Sequence, residues 1–453
     1  EDYDPSLGNI QSRLAMPEIM LQKDETQLAT AIDQQVANLR GERKSPISDS
    51  ALKQFQSLAN AMSWHAKPIP NGDQQVMTWR EQFIAFDNLV FPSVSKLNPA
   101  DAVASPEAPR TFAMGDADGS MGRMVLHAIA SGVAELPPDQ MPALARLINA
   151  EISASLDRTS GLQKFQSDPQ VSQDLDAVAE ALIVQPRRND GAQSGKPVCV
   201  FLGDILSDRF TNNQQALSKF IYKLSGVDPN NPGVRADTGV RFIAGNHDTQ
   251  PLLGSNGKDV LNRKDSWAAD WGAHAAKKLS LNEYKNLLAD CFQAADYSDG
   301  VLTTHNGVAK GNGANEYLVG VGGRSERKNH IDASGGTLED CLSLTANNPK
   351  ELAEKMNQVF LQRVRAAGPD DVISTDFRPN DSLMTPAALG FDSAGFRQLH
   401  GHNADANEDN AGVTNLNARG DQSVGGFQPM GTVLTYAPAV PPVSEPPVQE
   451  VAQ

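Results

Sequence analysis

Side chains that can bind a divalent cation or move a proton recur in this sequence at one kind of place, immediately after a short apolar run. Residues 111–114 lead into Gly115-Asp116-Ala117-Asp118-Gly119, 198–202 into Gly203-Asp204-Ile205-Leu206-Ser207-Asp208-Arg209, and 240–244 into Gly245-Asn246-His247-Asp248. Further on, 301–304 lead into His305-Asn306-Gly307, and 396–399 into His400-Gly401-His402-Asn403. A mixed set of carboxylate, amide and imidazole donors suits divalent metal ions, and histidine titrates where a proton donor must work. Any one cluster alone is weak, because an Asn-His-Asp run is ordinarily a turn. Five in succession, each closing an apolar run, point to strands that deliver their ends to one crevice, where open α/β sheets bind ligands.

These motifs resemble those of the calcineurin-like metallophosphoesterases, whose pattern runs GDxH, GDxxD(R), GNHD or GNHE, a His before small residues, and a final GHxH or related His. The resemblance covers about residues 110–440, with insertions, and is strongest at 203–209, 245–248 and 401–403. The Asp208-Arg209 pair, and Ala404 where a GHxH enzyme has its last ligand, are closer to the protein-phosphatase branch. The resemblance implies a metal-dependent phosphoric monoester hydrolase acting on phosphoprotein or small phosphoesters. It implies two divalent metal ions, with manganese favoured over iron, zinc or magnesium. The implied fold is α/β: a metallophosphoesterase-type β-sandwich flanked by helices, with a helical N-terminal region and helical insertions.

The physical logic assigns roles. Two cations about 3.5–4 Å apart need a bridging carboxylate. Asp204 is the natural bridge; Asp116 and Asp118 complete one ion, and Asn246, His305 and His402 complete the other. A water between two such cations loses its proton near neutral pH and can attack phosphorus in line. His247 is placed to protonate the leaving group, with Asp248 to fix its tautomer. Arg209 can grip phosphoryl oxygens bidentately, with Asn246 beside it. Two departures from the family pattern stand out: Asp118 replaces a histidine, and the stretch from Asp204 to Asp208 has one extra residue.

Those departures sustain rival readings. Asp116-Ala-Asp118 also resembles the nucleophile loop of haloacid-dehalogenase-type phosphatases, with Asp116 attacking phosphorus, Asp118 as acid, one magnesium and Lys164 or Lys196 in support. That leaves 245–248, His305 and His402 without a role. An EF-hand loop starting at Asp116 would need a bidentate Glu at its twelfth position, which is His127. A third reading is a degenerate binding or scaffold protein built on a phosphatase fold.

The elements that must hold these clusters follow. Helical spacing is expected over 121–134, 214–224 and 266–292, and 413–417 and 432–436 read as closing strands of a second sheet. Residues 1–105 read as a helical N-terminal region, with helices over 26–39 and 50–62 interrupted by Pro46, Pro68, Pro70 and Pro92. Residues 106–440 form the catalytic domain, with insertions near 135–195 and 250–300 long enough to wall or cover a site. The Pro-rich 441–453 reads as a disordered tail.

With 453 residues, 40% hydrophobic and 21% charged, the composition is that of a soluble globular chain of up to three domains. No run approaches the ~20 apolar residues of a membrane span. A net charge of −16 argues against a surface built for long nucleic acid. Cys199, Cys291 and Cys341 are too few for a disulfide framework, which favours a reducing compartment. The chain starts at Glu1 rather than Met, so a cleaved leader is compatible with it. Its many Gln, Asn, Ser and Ala residues would suit a bacterial protein, cytoplasmic or delivered into a host cell.

Overall fold

The strands β1 (Arg110–Met114), β2 (Val198–Phe201), β3 (Val240–Ile243) and β4 (Phe292–Gln293) pair in parallel, side by side in chain order. Their side chains alternate between two buried faces, as the strand period of two requires. Met114, Cys199, Phe201 and Phe242 enter the main helix-backed core, where the Phe201 and Phe242 rings stack at 4.9 Å. Ala113, Val200, Leu202 and Ile243 form a smaller cluster on the other face. Burial on both faces explains why these strands read as continuous apolar runs. Met114 pairs with Phe201, and Phe201 with Phe242, so the three strands end level and their loops leave from one edge.

This computed structural model describes residues 49–62, 69–70, 76–77, 110–156, 160–185, 198–249, 275–298, 301–305, 349–366, 397–401, 409–410, 413–415 and 432–436. A second five-stranded sheet contains β5 (Ala295–Ser298), β6 (Val301–Thr304), β7 (Arg397–His400), β8 (Asp409–Asn410) and β9 (Val413–Asn415), in the order β5-β6-β7-β9-β8. Its centre, β6-β7-β9, is parallel, and β5 and β8 are antiparallel edges. Leu399 of β7 joins the small cluster of the first sheet, so the two sheets share buried apolar contact.

Two expectations need correction. The five strand ends do not come from one open sheet: three belong to the first sheet and two to the second. The strand β10 (Thr432–Tyr436) does not close the second sheet. It pairs antiparallel with β1, Thr432 opposite Met114 and Tyr436 opposite Arg110. Apolar content marks a segment as a strand, but partner choice is a long-range property that a local pattern does not carry.

Helices back the first sheet. α1 (Asp49–Ala61) contributes Ala51, Phe55 and Leu58 to the main core. α2 (Met121–Ser131) follows the first loop, capped by Ser120 and ended by Gly132 at φ 76°, three residues earlier than expected. The insertion is helical: α3 (Met141–Leu156), α4 (Ser160–Ser167) and α5 (Pro169–Ala181), the last capped by Asp168 with Pro169 at its first position. α6 (Gln214–Ser225) follows β2, and the four-residue α7 (Asn246–Thr249) follows β3. α8 (Leu281–Cys291) starts at a Ser280/Glu283 capping box; of the helix expected over 266–292, residues 266–274 lie outside the described set. α9 (Pro349–Ala366) lies against the second sheet, where Asn357 accepts from the backbone of Ala294 and Ala295. The helix expected over 26–39 lies outside the described residues. Among the described residues no helix is long and apolar enough to cross a membrane. Cys199 and Cys291 are buried free thiols.

One polar group sits deep in this helical core. Glu151 of α3 is fully buried and accepts a 2.6 Å hydrogen bond from Ser120 Oγ, with Arg123 Nε 4.0 Å away. Burial pushes its carboxyl up to about 7, against the opposing pull of Arg123 and Ser120. The folded chain therefore holds an extra proton between about pH 4.5 and 7, and stability contributed by this group falls as pH rises through that window. Urea unfolding should show Glu151→Gln gaining on the wild type from about pH 4.5 to about 7 and keeping a constant offset above it. A pH-independent difference would mean that Glu151 titrates alike in the folded and unfolded chain.

Candidate metal and phosphate site

The loops at the strand ends are tied into one body by backbone contacts. Ala117 N–H donates to Gly203 O (3.1 Å), Gly119 N–H to Asp204 O (2.8 Å), Phe210 N–H to Asp118 O (2.9 Å) and Gly401 N–H to His305 O (2.7 Å). The last of these brings the end of β7, just before His402, beside the end of β6. Asp118 (φ 53°) and Asp204 (φ 54°) occupy the left-handed region, which non-glycine residues adopt at a cost. A side chain at Gly203 would collide with the His305 ring, and one at Gly245 with the Asp204 carboxylate, so both positions require glycine.

Within this frame, Asp116, Asp204 and His305 present ligand atoms within 4.8 Å of one another, as do Asp204, Asp208 and His247. Asp204 belongs to both groups. His305 Nδ1 lies 3.6 Å from Asp116 Oδ1, and its Nε2 lies 3.6 Å from Asp204 Oδ1. His305 Nδ1 is also 2.5 Å from Leu202 O, a partner that accepts only, so Nδ1 carries the proton and Nε2 the lone pair of the neutral ring. That backbone carbonyl is the kind of partner that orients metal-binding imidazoles. Carboxylate oxygens with an imidazole nitrogen are a fitting donor set for a divalent cation. The electrostatics agree: burial first, then Asp116, Asp208 and Asp248, drive the Asp204 carboxyl well above its usual range against the pull of His247, so the site lacks positive charge.

His247 Nδ1 lies 2.8 Å from Asp208 Oδ2 and 3.7 Å from Asp204 Oδ2. Burial alone would raise Asp208, but His247 and Arg209 beside it win and hold it below the usual range. The acid at the His247 ring is thus Asp208, in the place expected for Asp248. Asp248 turns back on the loops: Oδ1 accepts from Ile205 N–H (2.8 Å) and Leu206 N–H (2.6 Å), and Oδ2 accepts from Gly245 N–H (2.8 Å).

Asp118, expected among the ligands, is in neither donor group; its Oδ1 lies 2.6 Å from Arg209 Nη2 and its Oδ2 3.3 Å from Arg123 Nη1. Arg209 Nε lies 3.3 Å from Asp208 Oδ1, and the side chain remains 41% exposed. Burial works against the Arg209 charge, but Asp118, Asp208, Asp116 and Asp204 outweigh it and raise its pKa. Asn246 opens α7, its side chain outside the described set, and His402 lies outside the described residues altogether. Sequence reasoning missed Arg123 and Glu151. The available signal was a charged residue inside 121–131, a helix otherwise dominated by apolar and small residues and buried along its whole length.

No family model matches the chain. It is 22% identical over 407 residues to the uncharacterized protein YhiJ of Escherichia coli strain K12, covering 84% of this chain and 67% of that one. A structural likeness to the phosphatase domain of the Legionella effector WipB covers 56% of this chain and 80% of that one, at 12% identity and a TM-score of 0.31. Neither likeness assigns an activity to this chain.

Asp248→Asn would set an amide N–H against the N–H of Gly245. A buried donor left unsatisfied costs about 1–3 kcal/mol, so urea unfolding of chelator-treated protein should show a loss of that size. If Asp248 instead oriented His247, the variant would copy the leaving-group dependence of a His247 variant at unchanged stability.

Proposed function

We propose that this chain is a metal-dependent phosphatase acting on phosphomonoesters, phosphoprotein foremost, built on a metallophosphoesterase-type β-sandwich. The reading is carried by two overlapping carboxylate–imidazole groups that share the buried Asp204, at the level ends of parallel strands and beside a partly exposed arginine. Asp116, Asp204 and His305 would hold one cation, and Asp204 with Asn246 and His402 a second, manganese favoured. Bound there, divalent cations supply a nucleophilic water at neutral pH and positive charge for the phosphoryl oxygens. Arg209 grips those oxygens. His247, paired through Nδ1 with Asp208, gives the leaving oxygen its proton through Nε2, and Asp208 stabilises the imidazolium beforehand. Residues 106–440 would be the catalytic domain, 1–105 an N-terminal region and 441–453 a tail; a bacterial source, with the protein acting in the cytoplasm or in a host cell, fits the composition. A covalent role for Asp116 would leave the His305 and His247 contacts without purpose.

Hydrolysis of an aryl phosphate with added manganese tests the activity. Chelation should silence the protein, and manganese should restore it better than calcium, whose looser coordination suits a compact shared site poorly. Asp204→Asn should lose both activity and bound metal with the fold retained; full metal content by elemental analysis would remove Asp204 from the site.

His247 is tested by leaving group. General-acid catalysis is worth about 10²–10⁴-fold, and most for a poor leaving group. His247→Asn should cripple hydrolysis of an alkyl phosphate while sparing much of the activity on an activated aryl phosphate. Equal losses on both, together with lost metal, would make His247 a ligand.

A further inference from the structure

We infer that Asp118 is a positioning residue for Arg209, holding its guanidinium for the substrate phosphoryl group, and is not a metal ligand. The inference rests on the phosphatase reading of the site. Both oxygens of the Asp118 carboxylate are engaged by arginines, Oδ1 by Arg209 Nη2 at 2.6 Å and Oδ2 by Arg123 Nη1 at 3.3 Å. Among the described residues, neither donor group includes it.

The arrangement behaves as a fixed post with a working arm. Arg123 is the post: its side chain is 5% exposed, it lies on the helix that starts at this loop, its Cζ sits 5.0 Å from the Phe210 ring centre, and Glu151 is beside it. Asp118 is aimed by its backbone, held in the left-handed region by bonds from Phe210 N–H to its carbonyl and from Gly119 N–H to Asp204 O. Arg209 is the arm, gripped at Nη2 by Asp118 and at Nε by Asp208, yet 41% exposed. An exposed ion pair alone is worth little. Here Asp118 is itself held by the buried Arg123, so the pair fixes a long side chain before the ligand arrives and lowers the ordering cost of binding. The guanidinium's planar fork makes that orientation count.

The test uses the whole 453-residue chain loaded with manganese, and inorganic phosphate as the probe. Asp118→Asn keeps a residue that tolerates the left-handed region and removes the charge; Asp118→Gly, suited to the same backbone, serves if the first variant folds poorly. We expect unchanged bound manganese, about tenfold weaker inhibition by phosphate, and a rise in KM for aryl phosphate that exceeds the fall in kcat. In an Arg209→Ala background, Asp118→Asn should change phosphate inhibition less than about twofold, because its effect runs through Arg209. Lost manganese would make Asp118 a ligand and overturn the inference. So would equal weakening without Arg209, or tighter phosphate binding, which is what mere removal of a negative charge would produce. A wild type that neither hydrolyses phosphoesters nor binds phosphate would sink the phosphatase reading. Manganese content would still judge Asp118: unchanged supports a non-ligand, reduced overturns it.

Discussion

A buried carboxylate surrounded by other carboxylates sets the terms for the rest of this molecule. Asp204 is almost wholly inaccessible, carries His247 N–H on its Oδ1, and sits within reach of Asp116, Asp208 and His305. Ionised in such a place, it needs opposite charge within a few ångströms, since an uncompensated buried charge costs several kcal/mol. The protein supplies part of that from His247 and, further out, Arg209; neither balances Asp204 together with Asp116, Asp208 and Asp248. A divalent cation would. The same shortage of positive charge would become affinity for such an ion.

Bringing such groups together requires backbones closer than side chains ordinarily permit. A Cβ at Gly203 would lie 2.8 Å from Gly245 Cα and 2.9 Å from its N, and the Asp204 carboxylate fills the space a Cβ at 245 would take. Two aspartates accept left-handed backbones in the same neighbourhood. Strain of this kind persists only where the surroundings over-determine it. Parallel strands ending level, a stacked Phe201–Phe242 pair beneath them and three loop-to-loop backbone bonds from residues 117, 119 and 210 are those surroundings.

Much of this was legible in the sequence, and what was not has physical reasons. The strand-end clusters were visible because a buried parallel strand is an unbroken apolar run, so its polar terminus stands out. Sheet membership was not visible: 432–436 reads as a strand wherever it pairs, and its place beside β1 depends on contacts with residues more than three hundred positions away. The Asp248 role misled for a related reason. Neighbours in sequence on a helical turn point in different directions, so the acid next to His247 faces the loop backbone while Asp208, 39 positions earlier, reaches the ring. Asp118 had the chemistry of a ligand, but the arginines that engage it lie outside its motif. Asp118 and Arg209, 91 positions apart, meet through an ion pair that neither local motif announces.

The described helices of the 135–195 insertion bear on the site through the loop that carries Asp208 and Arg209. They support the loops from the core side. Gln166 of α4 donates to Arg209 O at 2.9 Å, and Asn212 Nδ2 donates to Phe165 O at 2.6 Å and to Asp168 O at 3.0 Å. Glu151 of α3 takes the Ser120 hydroxyl that also caps α2. The 208–213 segment carries both Asp208 and Arg209, and a loop outside regular structure has many conformations to choose among. Fixing its carbonyls and amides from behind removes that freedom while leaving its charged side chains facing the site. The inserted helices therefore act through backbone order: they reach the candidate chemistry by deciding where Asp208 and Arg209 begin, and the ion pairs with His247 and Asp118 decide where those side chains end.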